Sequence, residues 1–334
     1  MTLLLLVAGV FIGIIMGSLP GMTATMTVAV LVSFTFSMDP IPGMMLLLGI
    51  YGGALYAGSI PAILIRTPGT PSAAATVFDG FPLAQQGKAG QAIAVATVAS
   101  FVGGIISVVL LALVAPQIAS FALEFASPQY FALAVFGLSI IASVSGDSLI
   151  KGLISGLLGM FLATVGLDPL TASPRFTFGY EFLNSGLQFI AVMIGLFGLA
   201  EGLYRYQSDL QENETNQEVT GLIPDWGTLN RILPLSVVSG VGGTIIGAIP
   251  GAGGDIASFV TYNEAKRWLN TGVFGSGDIR GVAAAESGNN SSTGGALIPT
   301  LTLGIPGDSV TAILIGALLV HGIRPGPNLF QDEP

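Results

Sequence analysis

Residues 294–319, GGALIPTLTLGIPGDSVTAILIGALL, are apolar enough to cross a membrane, yet Pro299, Gly304, Pro306 and Gly307 interrupt them. Proline inside a helix costs about 3 kcal/mol and glycine about 1 kcal/mol relative to alanine. In hydrocarbon, the backbone groups freed by such a break have no water to turn to. A broken helix therefore persists only where protein or a wet cavity covers it. This run must either leave the membrane at its break or have something built around it.

Composition bears on that choice. Of 334 residues, 51% are hydrophobic and 9% charged, with a mean hydropathy of +0.79, whereas soluble domains carry about a quarter charged residues. Several runs approach the roughly 20 apolar residues that a hydrocarbon core of about 30 Å requires. Spans are expected near 3–19, 43–65, 91–115, 129–145, 149–166, 186–204, 232–249 and 296–320. The chain reads as an all-α polytopic membrane protein embedded in a lipid bilayer. Residues 22–37, about 24 Å as a helix, are too short to count as a crossing, which leaves the parity of crossings open. Lys and Arg are few and show no clean alternation, so orientation stays open too. The N-terminus, MTLLLLVAGVFIGIIMGSLPG, lacks a basic leader region and reads as the first span.

The absence of cysteine removes disulfides, thiolate nucleophiles and Cys-based metal sites, and a single histidine, His321, removes a multi-histidine site. QQGKAGQ has neither the spacing nor the hydroxyl of a phosphate-binding loop, so the chain does not energise itself with ATP. GAGGDI does not meet the dinucleotide fingerprint.

One stretch stands apart. Residues 204–231, YRYQSDLQENETNQEVTGLIPDWGTLNR, are polar and acidic and read as an extramembrane linker. It divides a first membrane repeat, 1–203, from a second, 232–334. GSLPGMTAT (17–25) matches GAIPGAGGD (247–255), and IPAILIRTPGTPSA (60–73) matches IPTLTLGIPGDSVT (298–311). DGFPLAQQ (79–86) sets more weakly against HGIRPGPN (321–328). An ordered set of Pro-Gly matches reads as two copies of one unit, expected to be inverted relative to each other. Broken helices at matching places in two halves point to the binding site of a secondary transporter. Half-helix N-termini there aim N–H groups and positive dipole ends at an anion. Tight turns between ordinary spans are the competing reading of any one Pro-Gly.

The flanks supply candidate contacts. Around the first break stand Thr67, Thr70 and Ser72, and around the second Asp308, Ser309 and Thr311. Upstream of the second, ESGNNSSTGG places Asn289, Asn290, Ser291, Ser292 and Thr293 in apolar surroundings. Uncharged amides and hydroxyls suit carboxylate recognition and the coordination of a hard cation, though they also serve as polar glue between helices. Asp255, Glu286 and Asp308 are candidate cation or proton sites, with helix capping as the alternative for Asp308. Arg66 could pair with a substrate carboxylate or snorkel to an interface. Gly13/Gly17, Gly152/Gly156, Gly198/Gly202 and Gly243/Gly247 have the spacing of close helix packing.

The blocks 17–92 and, in the second half, GAIPGAGGDIASFVTYNEAKR and AAAESGNNSSTGGALIPTLTLGIPGDSVTAILIGALLVHGIRPGP resemble the large membrane subunit of tripartite tricarboxylate transporters, TctA type. The resemblance implies cation-gradient-driven uptake of small carboxylates, di- or tricarboxylates, across the bacterial inner membrane. It implies two protein partners, a periplasmic solute-binding protein and a small membrane subunit. Neither nucleic acid nor an organic cofactor is expected, and the coupling ion would be sodium or a proton. Carried over by motif, the substrate-binding candidates are Pro20, Gly21 and Thr23; Thr67, Pro68, Gly69, Thr70 and Ser72; Pro250, Gly251 and Gly253; Asn289, Asn290, Ser291 and Ser292; and Pro306, Gly307 and Ser309. Family members are longer than this chain, so the second repeat is expected to be incomplete and the chain a fragment or part of a split gene. A passive anion channel and an intramembrane aspartyl protease built on Asp255 and Asp308 are the alternatives.

Overall fold

The computed structural model describes residues 2–126, 128–129, 131–132, 135, 148–168, 173–187, 191–192, 194–199, 203, 219–269 and 273–332. The chain is helical: α1 (Thr2–Gly17), α2 (Ala24–Leu31), α3 (Pro40–Ala57), α4 (Ser59–Ile65), α5 (Val77–Gln85), α6 (Ala89–Ala122), α7 (Leu149–Ala163), α8 (Trp226–Gly247), α9 (Gly253–Leu269), α10 (Ile279–Leu303), α11 (Ser309–Val320) and a short α12 (Leu329–Asp332). Among the described residues the only strands are β1 (Gly166–Leu167) and β2 (Pro174–Arg175), paired antiparallel.

Among the described residues three helical stretches are long and apolar enough to cross a bilayer, Pro40–Ile65, Ala89–Ala122 and Trp226–Gly247, and four shorter apolar stretches accompany them. With apolar side chains such as Phe101, Val108, Leu113 and Phe121 turned outward on α6, they make a multi-pass membrane protein. At 34 residues, α6 is about 51 Å long, well beyond the hydrocarbon thickness, so it tilts or projects. The span expected at 129–145 falls largely outside the described residues, and the one at 186–204 partly so. The run 296–320 is divided between α10 and α11.

The helix α8 starts at Trp226, inside the stretch that reads as linker. Asp225 sets that start: its Oδ1 accepts the Thr228 N–H at 2.6 Å, and this bonding holds the carboxyl below its ordinary pKa.

Glycines decide how the helices meet. A Cβ on Gly13 or Gly17 of α1 would fall 2.4 Å from the carbonyl oxygens of Ile50 and Ala54 on α3. On α8, Gly243 and Gly247 stand in the same relation to Gly288 and Ser292 of α10, at 2.3 and 2.5 Å. In lipid no hydrophobic force draws helices together, so close backbone approach carries the association. Helix α10 is hemmed in on further sides: Gly103 of α6 faces Ser287, Ser107 faces Gly294, and Thr261 of α9 faces Gly288. Residues Gly281–Ser292 are consequently all buried. That enclosure is what lets the least apolar of the long helices run through the middle of the molecule.

Candidate functional site

Both breaks are made the same way. Helix α4 ends at Arg66 (φ 60°) and α10 at Gly304 (φ 69°), each in the left-handed region. Thr67 N–H donates to Pro61 O and Ile305 N–H to Pro299 O, both at 3.3 Å, closing matching C-terminal turns. The chain then passes through Pro68-Gly69 and Pro306-Gly307. Only glycine fits after either proline: a Cβ on Gly69 would lie 2.2 Å from Gly17 O, and one on Gly307 would lie 2.4 Å from Ala296 Cα.

Each tip docks on the glycine-rich motif of the opposite half. Thr25 Oγ1 lies 2.7 Å from Ser309 Oγ. Reciprocally, a Cβ on Gly254 would lie 3.2 Å from Ser72 Cβ, and one on Gly253 would lie 3.3 Å from Asp308 Cβ. Adjacent residues at the start of α9 therefore touch both tips. Gly251 N–H donates to Gly307 O at 2.7 Å, tying the Pro250–Gly251 turn to the second tip. Pro20, Gly21 and Thr23 precede α2, whose partner across the molecule is the start of α11. Three helices, α2, α9 and α11, thus begin around one place, where free N–H groups and positive dipole ends favour an anion.

Two of the candidate side chains are engaged in building those helix starts. Thr23 Oγ1 accepts the Met26 N–H at 3.1 Å. Asp308 caps α11, accepting from Thr311 N at 2.8 Å while Thr311 Oγ1 accepts from Asp308 N at 2.9 Å. Its second oxygen accepts a hydrogen bond from Tyr51.

The polar run on α10 divides, because consecutive helical residues point about 100° apart. Asn289 and Ser292 face the start of α9 and Ser72. Ser291 turns to Gly243 of α8. Asn290 joins Glu286 on the opposite side, where Nδ2 donates to Ser100 Oγ at 2.8 Å. Glu286 is fully buried, accepting from Thr76 Oγ1 and from Ser100 Oγ at 3.2 Å. The three acidic candidates thus occupy two places, Glu286 against α6 and Asp308 with Asp255 at the tips. Asp255 is exposed, and so is Arg66, whose guanidinium sits 5.8 Å over the Phe81 ring rather than among the tips. Thr67 and Pro68 are half-buried, while Thr70 and Ser72 are buried and hydrogen-bonded to each other at 3.0 Å. His321 closes the C-terminal end of α11.

Two polar residues that sequence reading passes over stand out. Tyr51 is one. The other is Asp79, fully buried, which accepts N–H bonds from Gly275, Gly277 and Asp278 at 2.8–2.9 Å and the Tyr262 hydroxyl at 2.9 Å. It fastens α5 to the loop before α10. Its signal lay in DGFPLAQQ, where an acid sits in an apolar context. Among the described residues no cluster of His, Cys, Asp and Glu could hold a metal ion.

The profile of the tripartite tricarboxylate transporter TctA family matches residues 3–334. An Agrobacterium vitis protein described as "Uncharacterized 52.8 kDa protein in TAR-I ttuC' 3'region" is 41% identical over 328 residues, covering 98% of this chain and 65% of that relative. A second from the same organism, "Uncharacterized protein in TAR-II ttuC' 3'region", is 43% identical over 93 residues, 28% of this chain and 38% of its own. The chain therefore spans less than two thirds of the length of these relatives. No solved structure matches it.

Proposed function

The chain belongs to the tripartite tricarboxylate transporter TctA family, and we propose that it acts as the membrane-embedded transport subunit of a binding-protein-dependent carrier for small carboxylates. The observation that supports this reading best is that Ser72, after the first Pro-Gly break, and Asp308, after the second, both touch the start of α9, beside Thr25–Ser309. Irregular backbone gathered under protein cover is what a carrier needs in order to grip a polar solute inside a membrane.

In this reading the carboxylate is held by N–H groups at the helix starts and by hydroxyls around them, Thr70, Ser72 and Ser309 among them. Arg66, exposed and set over the Phe81 ring, lies outside the group that holds the anion. A sodium ion or a proton drives uptake, with Asp255, Glu286 and Asp308 as the ionisable groups in reach of the pathway. The matching glycine contacts of α1–α3 and α8–α10 support a reading as two copies of one unit, which in this proposal are inverted relative to each other. A periplasmic solute-binding protein and a small membrane subunit complete the assembly in a bacterial inner membrane. Its work is transport without catalysis.

Uptake into proteoliposomes tests the reading, using the chain completed to the length of its relatives, a panel of di- and tricarboxylates, a solute-binding protein and an imposed sodium or proton gradient. Uptake is expected to saturate and to collapse with the gradient. Flux that is linear in concentration and indifferent to the gradient would make it a channel. Peptide cleavage lost in Asp255→Asn or Asp308→Asn would make it a protease. Losing one charge-assisted hydrogen bond costs about 1.5–3 kcal/mol, so Ser309→Ala should weaken carboxylate binding roughly ten- to a hundred-fold. Arg66→Ala should change it little.

A further inference from the structure

Of Asp255, Glu286 and Asp308, only Glu286 is fully buried. Both of its oxygens have partners. Oε1 accepts from the Thr76 hydroxyl, and Oε2 lies 3.2 Å from Ser100 Oγ and 3.4 Å from Asn290 Nδ2.

Among the described residues no opposite charge faces it. Helix α6 carries no charged residue from Ala89 to Ala122, and α11 carries none from Ser309 to Val320. On α8, Arg231 is exposed, as is Lys266 on α9, while Arg267 and Arg280 pair with Glu264 and Asp278. The neighbouring acids are placed elsewhere: Asp79 of α5 is bonded to Tyr262 of α9, Asp308 to Tyr51 of α3, and Asp255 is exposed. A carboxylate buried without a counter-charge is costly, and an acid kept at that cost inside a membrane marks a proton path or an ion site. A proton enters this shell without displacing an atom, whereas a metal ion needs several further oxygens gathered around it. A hydroxyl donates to a carboxylate and accepts from a neutral carboxyl, so Thr76 and Ser100 serve Glu286 with or without the proton.

The scaffold does not demand an acid here. The match of 60–73 with 298–311, run back along α3 and α10, pairs Leu48 with Glu286, Tyr51 with Asn289 and Ala54 with Ser292. Run forward, it pairs Thr76 with Leu314. The helix contacts keep the same register, since Gly17 meets Ala54 where Gly247 meets Ser292, and Gly13 meets Ile50 where Gly243 meets Gly288. Leu48 and Leu314 belong to one apolar cluster. Where one half closes with two leucines, the other sets a carboxyl against a hydroxyl.

We propose that Glu286 takes up and releases the proton that couples transport, and that Thr76 ties this to the first tip. Thr76 follows Thr70 and Ser72 in one short connection, its N–H donating to Ala73 O at 3.1 Å, so a tip that moves carries the Thr76 hydroxyl with it. With the tip closed on α10, the proton is held on the carboxyl. With the tip withdrawn, water reaches Glu286 and the proton passes to it, leaving the carboxylate. The assignment rests on the gradient-driven reading above and takes the proton over sodium.

Two assays in proteoliposomes separate the steps, using the chain completed to the length of its relatives and supplied with its partners. Accumulation of a tricarboxylate on a proton gradient requires the proton to leave; exchange of labelled for unlabelled tricarboxylate does not. Glu286→Gln keeps the shape of the side chain and stays neutral, so it should lose accumulation while exchange persists. Accumulation retained in Glu286→Gln, or exchange lost together with accumulation, would overturn the proposal. Should this variant fail to fold, labelling of the unaltered chain with dicyclohexylcarbodiimide, which attacks protonated carboxyls in apolar surroundings, decides by mass spectrometry. Labelling at Glu286 that declines as pH rises is expected, and no labelling there at any pH would overturn the proposal. If the unaltered chain accumulates tricarboxylate on a sodium gradient and ignores protons, the proton site is wrong and the transport reading stands. If it neither accumulates nor exchanges any carboxylate, the transport reading falls, and the labelling alone decides the proton site.

Discussion

The two crossings where a tip meets the opposite half are built on one plan and finished differently. Around Tyr51, the first is closed by Ala24, Ala54 and Val310, with the Tyr51 hydroxyl bonded to Asp308 and Thr25 paired with Ser309. Around Asn289, the second is lined by hydroxyls and keeps an amide oxygen unpartnered. Matching backbone geometry with unlike side chains shows how a duplicated scaffold can close with apolar groups in one place and carry polar ones in another.

The largest effects are expected where both crossings depend on the same packing. Gly13→Ala and Gly243→Ala each drive a methyl group into a facing backbone carbonyl, at 2.4 and 2.3 Å. Overpacking of this kind costs about 1–3 kcal/mol or more, and both variants should lose most of their monodisperse yield on size exclusion. Gly52→Ala, with nothing within 4 Å, and Gly242→Ala, at 3.7 Å from Thr261, should be tolerated. Equal tolerance of all four would break the shared-plan view.

The crossings themselves should part company in stability. Tyr51→Phe removes the donor to Asp308 and should destabilise by about 1.5–3 kcal/mol. Asn289→Leu gives up one long hydrogen bond and an unpartnered oxygen, and should cost less than about 1 kcal/mol. Thermal unfolding compares the two, and the reverse ranking would contradict the contrast.

A smaller test concerns the two tips. Arg66 and Gly304 share a left-handed backbone, which costs a side chain roughly 1 kcal/mol. Arg66→Gly should therefore stabilise by about that amount and Gly304→Ala destabilise by a similar one, both read from unfolding midpoints. The smallest effect lies outside the membrane. Because its bonding to Thr228 depresses the Asp225 pKa, the α8 cap is present above the ordinary carboxylate range, about pH 4. It is lost as pH falls through the lowered value. Protection of the Thr228 amide from hydrogen exchange, taken relative to the intrinsic rate at each pH, should fall there and hold level near neutrality.

The breaks were legible in the sequence because proline and glycine act on their own neighbours, and 66–69 and 304–307 turn where those residues stand. The polar run 286–293 was legible as something enclosed, since no lipid-facing helix carries it. How it splits was not legible: whether Asn290 joins Asn289 or turns to Ser100 depends on which helices surround α10. Tyr51 is invisible for the same reason, its partner lying 257 residues away. Arg66 reads as a charge beside a tip, and only the fold shows it turned onto Phe81. The start of α8 was hidden by polar residues, although Asp225 three before Thr228 is a readable cap.

The central claim is that both tips belong to one carboxylate site, and the chain's lack of cysteine makes a direct measurement simple. Pro71→Cys and Pro306→Cys, each placing a single thiol at an exposed tip position, can be labelled with a maleimide in the presence and absence of a tricarboxylate. The account predicts that substrate slows labelling at both tips, with the same concentration dependence. Protection at one tip alone, or at neither, would contradict it.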